Sequence, residues 1–207
     1  MIALTFLDFA SVFVFALTGA LVASRAQLDL VGFAFVACLT AVGGGTLRDL
    51  LLGREQVFWV AQPSYILLAC AAALLVFFTA HLFESRYRLL LWLDSIALSV
   101  AVAAGAGVAI DLNHNAIIVV LMGISTGCLG GLMRDVVCNE VPLVLKQGEI
   151  YATAAFLGAS SAVFAGYAGL SGLPVLAICV AVTWVLRAGS MIWGWKLPVY
   201  KARPPRQ

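Results

Sequence analysis

The sequence predicts an all-α integral membrane protein with seven transmembrane helices, built as two inverted three-helix repeats followed by one extra helix. Three observations lead to this prediction. Hydrophobic residues make up 63% of the 207 residues and charged residues only 11%, whereas soluble domains have about 45–50% apolar and about 25% charged residues. Long apolar runs follow one another along the chain, and a glycine-rich segment inside them occurs twice. The net charge of +2 is too small to indicate a nucleic-acid partner.

Seven apolar runs approach the length of about 20 residues that a spanning helix needs. They are predicted at residues 3–23, 30–52, 64–83, 89–111, 116–137, 150–170 and 173–195 of a single membrane domain, 1–207. No basic stretch precedes the first run, so we expect it to be a true span rather than a cleaved signal peptide. Spans three, six and seven are predicted to be uniformly apolar. The basic, proline-rich tail at 196–207 is predicted to be disordered.

The Lys and Arg residues of the connections predict the orientation, because positive residues collect on the cytoplasmic side. Seven spans would place the two termini on opposite sides of the membrane. With charges inside the spans left aside, only Arg54 falls on one side. The other side collects Arg25, Arg86, Arg88, Lys146, Lys196, Lys201, Arg203 and Arg206. We therefore expect the N-terminus outside and the C-terminus in the cytoplasm.

A shift of 86 residues aligns the first half of the chain with the second without a gap. Scarce residues coincide under this shift, namely Asp8 with Asp94, Arg48-Asp49 with Arg134-Asp135, and Tyr65 with Tyr151. Each repeat, at about 3–83 and about 89–170, contains three spans. Because three is odd, the second repeat enters the membrane from the opposite face. Inverted repeats usually meet at a substrate or ion site near the midplane, although duplication alone could leave a purely structural repeat.

The repeated segment places glycines inside the second and fifth spans. Consecutive glycines disfavour a continuous helix, so we expect both spans to be kinked, with freed carbonyls that face protein or a cavity. Hydroxyl groups one turn earlier could add oxygen ligands. The predicted kink and pore residues are Gly43, Gly44, Gly45, Gly127, Gly130, Gly131, Thr40, Ser125 and Thr126. The alternative is that the glycines only allow close helix packing.

Charged residues within the spans form the second candidate site. Their depth, at about 1.5 Å per residue, predicts two clusters, one near each end of the bundle. We expect Asp8 beside Arg48 in one cluster and Asp94 beside Arg134 in the other. Adjacent Arg and Asp residues on a helix point in different directions, so each Arg-Asp pair should reach separate partners. The full set is Asp8, Arg48, Asp49, Asp94, Arg134 and Asp135. Ion pairs that fix helix register and charges that line wet vestibules both remain open.

Signals of catalysis or metal binding are missing from the sequence. No Ser/His/Asp or paired-carboxylate arrangement indicates an enzyme, and no phosphate loop is present. The five cysteines are scattered without ligand spacing, so they are predicted to be small packing residues. We expect no cofactor and no bound structural metal.

At its paired glycine and Arg-Asp segments, the chain resembles the trimeric intracellular cation (TRIC) channel family, whose bacterial relatives also go under the labels of unknown function and of glycine transporter. The resemblance implies a homotrimer in a prokaryotic inner membrane, with one pore per protomer between the kinked second and fifth helices. Potassium and, less selectively, sodium would be the permeant ions. Leu129 stands opposite Gly43, so the second kink should be milder. The basic lipid-binding motif of the animal channels has no match, so phosphoinositide control is not expected.

The leading interpretation is a passive monovalent-cation channel with an hourglass pore. An unneutralised Arg would repel the ion, so this interpretation requires Asp8 and Asp94 to screen Arg48 and Arg134. The alternative is a carrier for glycine or another small zwitterion, with an Arg holding the carboxylate and an Asp the amine. A third class is a structural or lipid-binding membrane protein, which would have dry glycine packing and no polar cavity.

Overall fold

The computed structural model describes residues 2–82, 86–146 and 150–198. Its α-helices are α1 (Ile2–Arg25), α2 (Leu30–Leu51), the single-turn α3 (Phe58–Ala61), α4 (Ser64–Thr79), α5 (Arg86–Asp111), α6 (Ala116–Val137), α7 (Ala152–Tyr167) and α8 (Leu173–Trp193). Short 3-10 turns lie at Ala80–Leu82 and Leu143–Leu145. The predicted all-α class is confirmed.

Six helices in the described part of the chain are long and apolar enough to cross a membrane. They correspond to predicted spans one to five and seven, the third of them being α4 together with the 3-10 turn that follows it, Ser64–Leu82. The sixth predicted span is α7, which has 16 residues. At 1.5 Å per residue it is about 24 Å long, shorter than the hydrocarbon core of about 30 Å. The count of seven spans therefore stays a prediction, and residues 83 and 199–207 of the predicted third span and tail lie outside the described residues.

The caps and turns of the two halves recur at the 86-residue shift. The Asp29 side chain caps α2 by accepting from the Gly32 N–H at 2.7 Å, and the Asn115 side chain caps α6 by accepting from the Ile118 N–H at 3.0 Å. Left-handed turn residues also recur, in the pairs Gln27 and Asn113, and Gly53 and Asn139. Capping side chains satisfy donors that the first helical turn leaves open. Helices α2 and α6 thus begin and end at positions related by the 86-residue shift, although the residue types at these positions differ.

Helices α2 and α6 cross each other in opposite directions. A Cβ atom on Gly44 would lie 2.2 Å from the carbonyl oxygen of Thr126, and one on Gly130 would lie 2.4 Å from that of Thr40. The later residue of α2 thus meets the earlier residue of α6, so the helices are antiparallel. The 86-residue shift exchanges the two contacts, as a pseudo-twofold axis through the crossing requires.

The glycines do not interrupt either helix. Both α2 and α6 are continuous α-helices of 22 residues, so the expected break with freed carbonyls is not found, and a kink of the helix axis stays a prediction. The physical reason lies in the crossing. The missing side chains of Gly44 and Gly130 are used for backbone contact between the helices, as small residues are in many membrane bundles.

The flanking helices of each repeat also pack through small residues. A Cβ atom on Gly19 of α1 would lie 2.7 Å from the Val36 carbonyl oxygen, and one on Gly105 of α5 would lie 2.5 Å from the equivalent oxygen of Met122. Helix α8, which has no counterpart in the first repeat, packs against α5 and α7. The prediction that span seven is uniformly apolar is wrong, because α8 buries Arg187 with 1% of its surface exposed.

Candidate functional site

The first charged cluster, defined as Asp8, Arg48, Asp49 and Arg54, joins α1, α2 and the connection after α2. Arg48 is fully buried; its Nη1 donates to Asp8 Oδ1 at 2.9 Å and its Nε to Asp49 Oδ1 at 2.8 Å. The half-exposed Arg54 donates to the same Asp49 oxygen at 3.2 Å. The predicted pairing of Asp8 with Arg48 is confirmed. Two acidic and two basic side chains leave this cluster formally neutral.

The second charged cluster, defined as Asp94, Arg134 and Asp135, repeats this geometry at the end of α6. Arg134 donates from Nη1 to Asp94 Oδ1 at 2.8 Å and from Nε to Asp135 Oδ1 at 2.7 Å. The predicted pairing of Asp94 with Arg134 is confirmed. Because α2 and α6 are antiparallel and each cluster follows the crossing along its own helix, the two clusters lie on opposite sides of the crossing.

The two clusters differ by one charge. The residue equivalent to Arg54 under the 86-residue shift is Glu140, which bears the same charge as Asp135. Glu140 pairs instead with Arg25, at 3.2 Å. The second charged cluster therefore has two carboxylates and one guanidinium, which give it a formal charge of −1. A local negative charge favours a cation over an anion.

The expectation that adjacent Arg and Asp residues reach separate partners is only partly right. Each Arg also bonds the next residue, because its long side chain folds back to the neighbouring carboxylate at the helix end. Each Asp does hold a separate partner through its other oxygen. Asp49 Oδ2 accepts from the Phe58 N–H at 2.8 Å, and Asp135 Oδ2 accepts from the Leu143 N–H at 2.9 Å. These carboxylates fold the following connection back onto the helix end, which is a structural role.

Three buried polar atoms, two in the second charged cluster and one on a neighbouring tyrosine, have no hydrogen-bond partner among the described residues. They are Asp94 Oδ2, Arg134 Nη2 and the Tyr151 hydroxyl. Gly131 leaves space where these groups converge, since a Cβ there would lie 3.4 Å from the Tyr151 hydroxyl and 3.6 Å from Arg134 Nη2. Buried polar atoms of this kind are usually satisfied by water or an ion. This cluster is thus a place where a hydrated species would be stabilised.

A small polar cavity lies at the α2–α6 crossing, next to the first charged cluster. Its volume is about 10 Å³, and its lining includes Asp8, Ser11, Thr40, Gly44 and Thr126. That volume holds about one water molecule. The Thr126 hydroxyl is buried without a partner among the described residues, whereas the Thr40 hydroxyl donates to the Val36 carbonyl at 2.6 Å.

The other predicted pore residues have different surroundings. Ser125 is partly exposed and does not line the cavity at the crossing. A Cβ atom on Gly43 would lie 2.7 Å from Met133 Sδ, one on Gly45 2.6 Å from the Phe58 ring, and one on Gly127 2.6 Å from Val102. Gly45 also lines the cavity beside Gly44. The glycine cluster thus packs against several neighbours, and only Gly44 and Gly130 make the backbone contact between α2 and α6.

Two features of the site were missed by sequence reasoning. The Arg54–Asp49 pair joins a connection to a helix end, and no repeat match marked it because Glu140 is the equivalent residue. Arg187 was the other; its guanidinium lies 4.9 Å from the centre of the Tyr151 ring. The available signal was a single Arg in an otherwise apolar span.

Comparison with known proteins places this geometry among membrane proteins. The profile of a family described as "Glycine transporter" matches residues 5–81 and again residues 91–167, in agreement with the 86-residue shift. The UPF0126 inner membrane protein YadS of Escherichia coli (strain K12) is 35% identical over 199 residues, covering 94% of each chain. The TRIC trimeric intracellular cation channel orthologue from Rhodobacter sphaeroides has a TM-score of 0.90 at 41% identity, covering 94% of this chain and 100% of that chain. A second TRIC cation channel, from a study of conductance, has a TM-score of 0.86 at 32% identity, covering 97% and 98%.

Proposed function

The chain belongs to the family described as glycine transporter and shares its fold with TRIC channels, and from this premise we propose that it is a passive, potassium-permeable channel for monovalent cations. The observation that carries the proposal is the neutralisation of Arg48 and Arg134. Each guanidinium is bonded to two carboxylates. The charges that would repel a cation from a path along α2 and α6 are thereby screened.

The proposed pore is an hourglass whose neck is the α2–α6 crossing. The carbonyl oxygens of Thr126 and Thr40 lie at this contact, against Gly44 and Gly130. In the present conformation the neck has room for about one water molecule, so conduction requires the crossing to widen. Widening would expose these carbonyl oxygens, together with the Thr126 hydroxyl, as ligands that replace part of the ion's water shell.

A carrier for glycine is the second candidate, favoured by the description of the matching family. A carrier needs a central site that binds a carboxylate and an amine together. Arg48 and Arg134, the predicted carboxylate ligands, are already paired with aspartates. The cavity at the crossing is also far smaller than an amino acid. Both facts support the channel over the carrier.

Flux into liposomes separates the two candidates. Purified protein is reconstituted into liposomes, and potassium efflux down a gradient is measured beside uptake of labelled glycine driven by a sodium or proton gradient. The proposal predicts protein-dependent potassium efflux, which reverses when an opposing voltage exceeds the potassium equilibrium potential, and no glycine accumulation. Concentrative glycine uptake without passive potassium flux would overturn it.

The assembly of the protein is part of the same proposal. Solved relatives are trimeric channels, and we extend the homotrimer, with one pore per protomer, to this chain in a prokaryotic inner membrane. Light scattering of the purified protein should give three copies of the 21.8 kDa chain after subtraction of detergent. A stable monomer with channel activity would refute the trimer but not the pore.

A further inference from the structure

A second cavity opens between α5 and α8, at the end of the bundle that carries the second charged cluster. Its volume is about 390 Å³. Of the described residues that line it, three are basic and none is acidic. The residues that matter here are Arg88, Arg187, Lys196, Trp92, Trp195 and Ser190. The chemistry of this cavity is therefore cationic and aromatic, unlike that of the neck at the α2–α6 crossing.

Arg187 supplies a buried charge to this cavity. Its surface is 1% exposed, and its guanidinium stacks over the buried ring of Tyr151 at 4.9 Å. A charged residue within an apolar helix is costly in a membrane and usually marks a functional site. Arg88 and Lys196 are exposed and add two flexible cations at the cavity mouth. Guanidinium groups match the geometry of phosphate oxygens.

The chain after α8 is shaped to complete this cavity. Gly194 adopts a left-handed conformation, φ 68°, which ends the helix and turns the chain back. The Trp195 ring then packs on Gly189, where a Cβ atom would lie 2.3 Å from the ring, and the Trp195 carbonyl accepts from the Ser190 hydroxyl at 2.9 Å. This turn brings Lys196 to the cavity wall. Residues 196–198 of the predicted disordered tail are among the described residues, and disorder of the tail stays a prediction.

We propose that this cavity binds the phosphate group of an anionic glycerophospholipid from the leaflet at that end of the bundle. Basic pockets between transmembrane helices at the cytoplasmic face are suited to acidic lipid headgroups. Tryptophans favour the headgroup level of a membrane, and Leu91 and Met191 provide apolar wall for an acyl chain. This cavity shares no lining residue with the cavity at the α2–α6 crossing, so the proposal does not rest on ion conduction.

Native mass spectrometry of the full-length protein tests the proposal. The protein in detergent is titrated with phosphatidylglycerol, with phosphatidylcholine and with inorganic phosphate, and bound molecules are counted. The test variant is Arg88→Gln/Lys196→Gln, whose positions are exposed and should not affect folding. The matched control is Arg25→Gln/Lys146→Gln, which removes the same charges outside the cavity. A thermal melt without lipid verifies that both variants are folded.

We expect the unmodified protein to bind phosphatidylglycerol in preference to phosphatidylcholine. In the test variant this binding should weaken about tenfold or more, because each basic residue near the membrane surface strengthens the attraction to anionic lipid. In the control variant the affinity for phosphatidylglycerol should stay within about twofold of that of the unmodified protein. Equal losses in both double variants would overturn the proposal, because they would indicate attraction to the whole basic face. Equal binding of phosphatidylcholine would also overturn it. A third outcome would refute a lipid site: the protein binds inorganic phosphate through Arg88 and Lys196 but does not bind phosphatidylglycerol.

Discussion

Gly44 and Gly130 have a role that their neighbours in the glycine clusters do not share. The backbone of Gly44 lies against the carbonyl oxygen of Thr126, and that of Gly130 lies against the carbonyl oxygen of Thr40, so neither position has room for the methyl group of an alanine. A contact of backbone on backbone cannot relax by rotation of a side chain. These two residues therefore control how closely α2 and α6 approach each other.

Replacement of either glycine by alanine should push α2 and α6 apart. We expect Gly44→Ala and Gly130→Ala each to lower the melting temperature of the protein in detergent, by an amount equivalent to about 1–3 kcal/mol for an overpacked core. The matched control is Gly166→Ala in α7, where no atom lies within 4 Å of the new Cβ. That control should be neutral or stabilising, because alanine is the better helix former. Equal melting temperatures for all three variants would contradict the account of the crossing.

The aspartates of the two clusters should differ in their contribution to stability. Asp94 is fully buried, whereas 13% of the Asp8 side chain is exposed. Removal of one partner of a buried ion pair costs about 3–5 kcal/mol, and water at Asp8 can compensate part of that loss. We therefore expect Asp94→Asn to lower the melting temperature more than Asp8→Asn. The reverse order would show that the second charged cluster is better hydrated than its burial indicates.

At the scale of elements, each carboxylate that follows the Arg ties a connection to the end of its helix. The connection after α2 adds Arg54 to the first charged cluster, while the connection after α6 sends Glu140 to Arg25. The two ends of the path along α2 and α6 thus carry different charge, although their helices are related by the repeat.

Removal of Arg54 should make the first charged cluster negative and raise cation conduction. We expect Arg54→Gln to increase potassium current at low ionic strength, because the local cation concentration rises at that mouth. The increase should shrink near 1 M salt, where the screening length is about 3 Å. The matched control is the double variant Arg25→Gln/Glu140→Gln, which removes an exposed ion pair outside the clusters without a change of net charge. A salt-independent effect would contradict the electrostatic explanation.

Helix positions and ion pairs could be predicted from the sequence, but the role of the glycines could not. Apolar runs located the helices within a few residues, and the depth of the few charged residues in their spans paired Asp8 with Arg48 correctly. The contact of Gly44 with Thr126 joins helices far apart in the sequence, so no local pattern reveals whether glycines bend a helix or admit a neighbour. The stacking of Arg187 on the Tyr151 ring likewise joins residues far apart in the sequence, so the lone Arg of α8 does not reveal its partner.

At the scale of the whole molecule, the repeat places one charged cluster on each side of the α2–α6 crossing, and in the proposed pore these two sides are the mouths. The antiparallel contact of α2 and α6 is the proposed neck of that pore. The extra helix α8 lies against the second repeat, and its end carries the basic cavity. The two halves are therefore equivalent in their helices but not in charge or in surroundings.

The orientation can be measured by labelling in intact cells. The basic residues of the connections predict that Arg54 faces outside and Lys196 faces the cytoplasm. We expect a membrane-impermeant maleimide to label Arg54→Cys but not Lys196→Cys, above the background of the native cysteines measured in the unmodified protein. Permeabilised cells provide the control, because both sites should then react. Labelling of Lys196→Cys alone would reverse the assigned orientation.

Single-channel recording of the purified protein in planar bilayers, with potassium on both sides, tests the central claim that the α2–α6 crossing is the neck of a cation pore. The account predicts discrete unitary currents that are linear in voltage and reverse toward the potassium potential in a gradient of potassium chloride. It also predicts that Gly44→Ala changes the unitary current while Gly166→Ala leaves it unaltered. A silent bilayer from folded protein, or unitary currents that both variants leave unchanged, would contradict the claim.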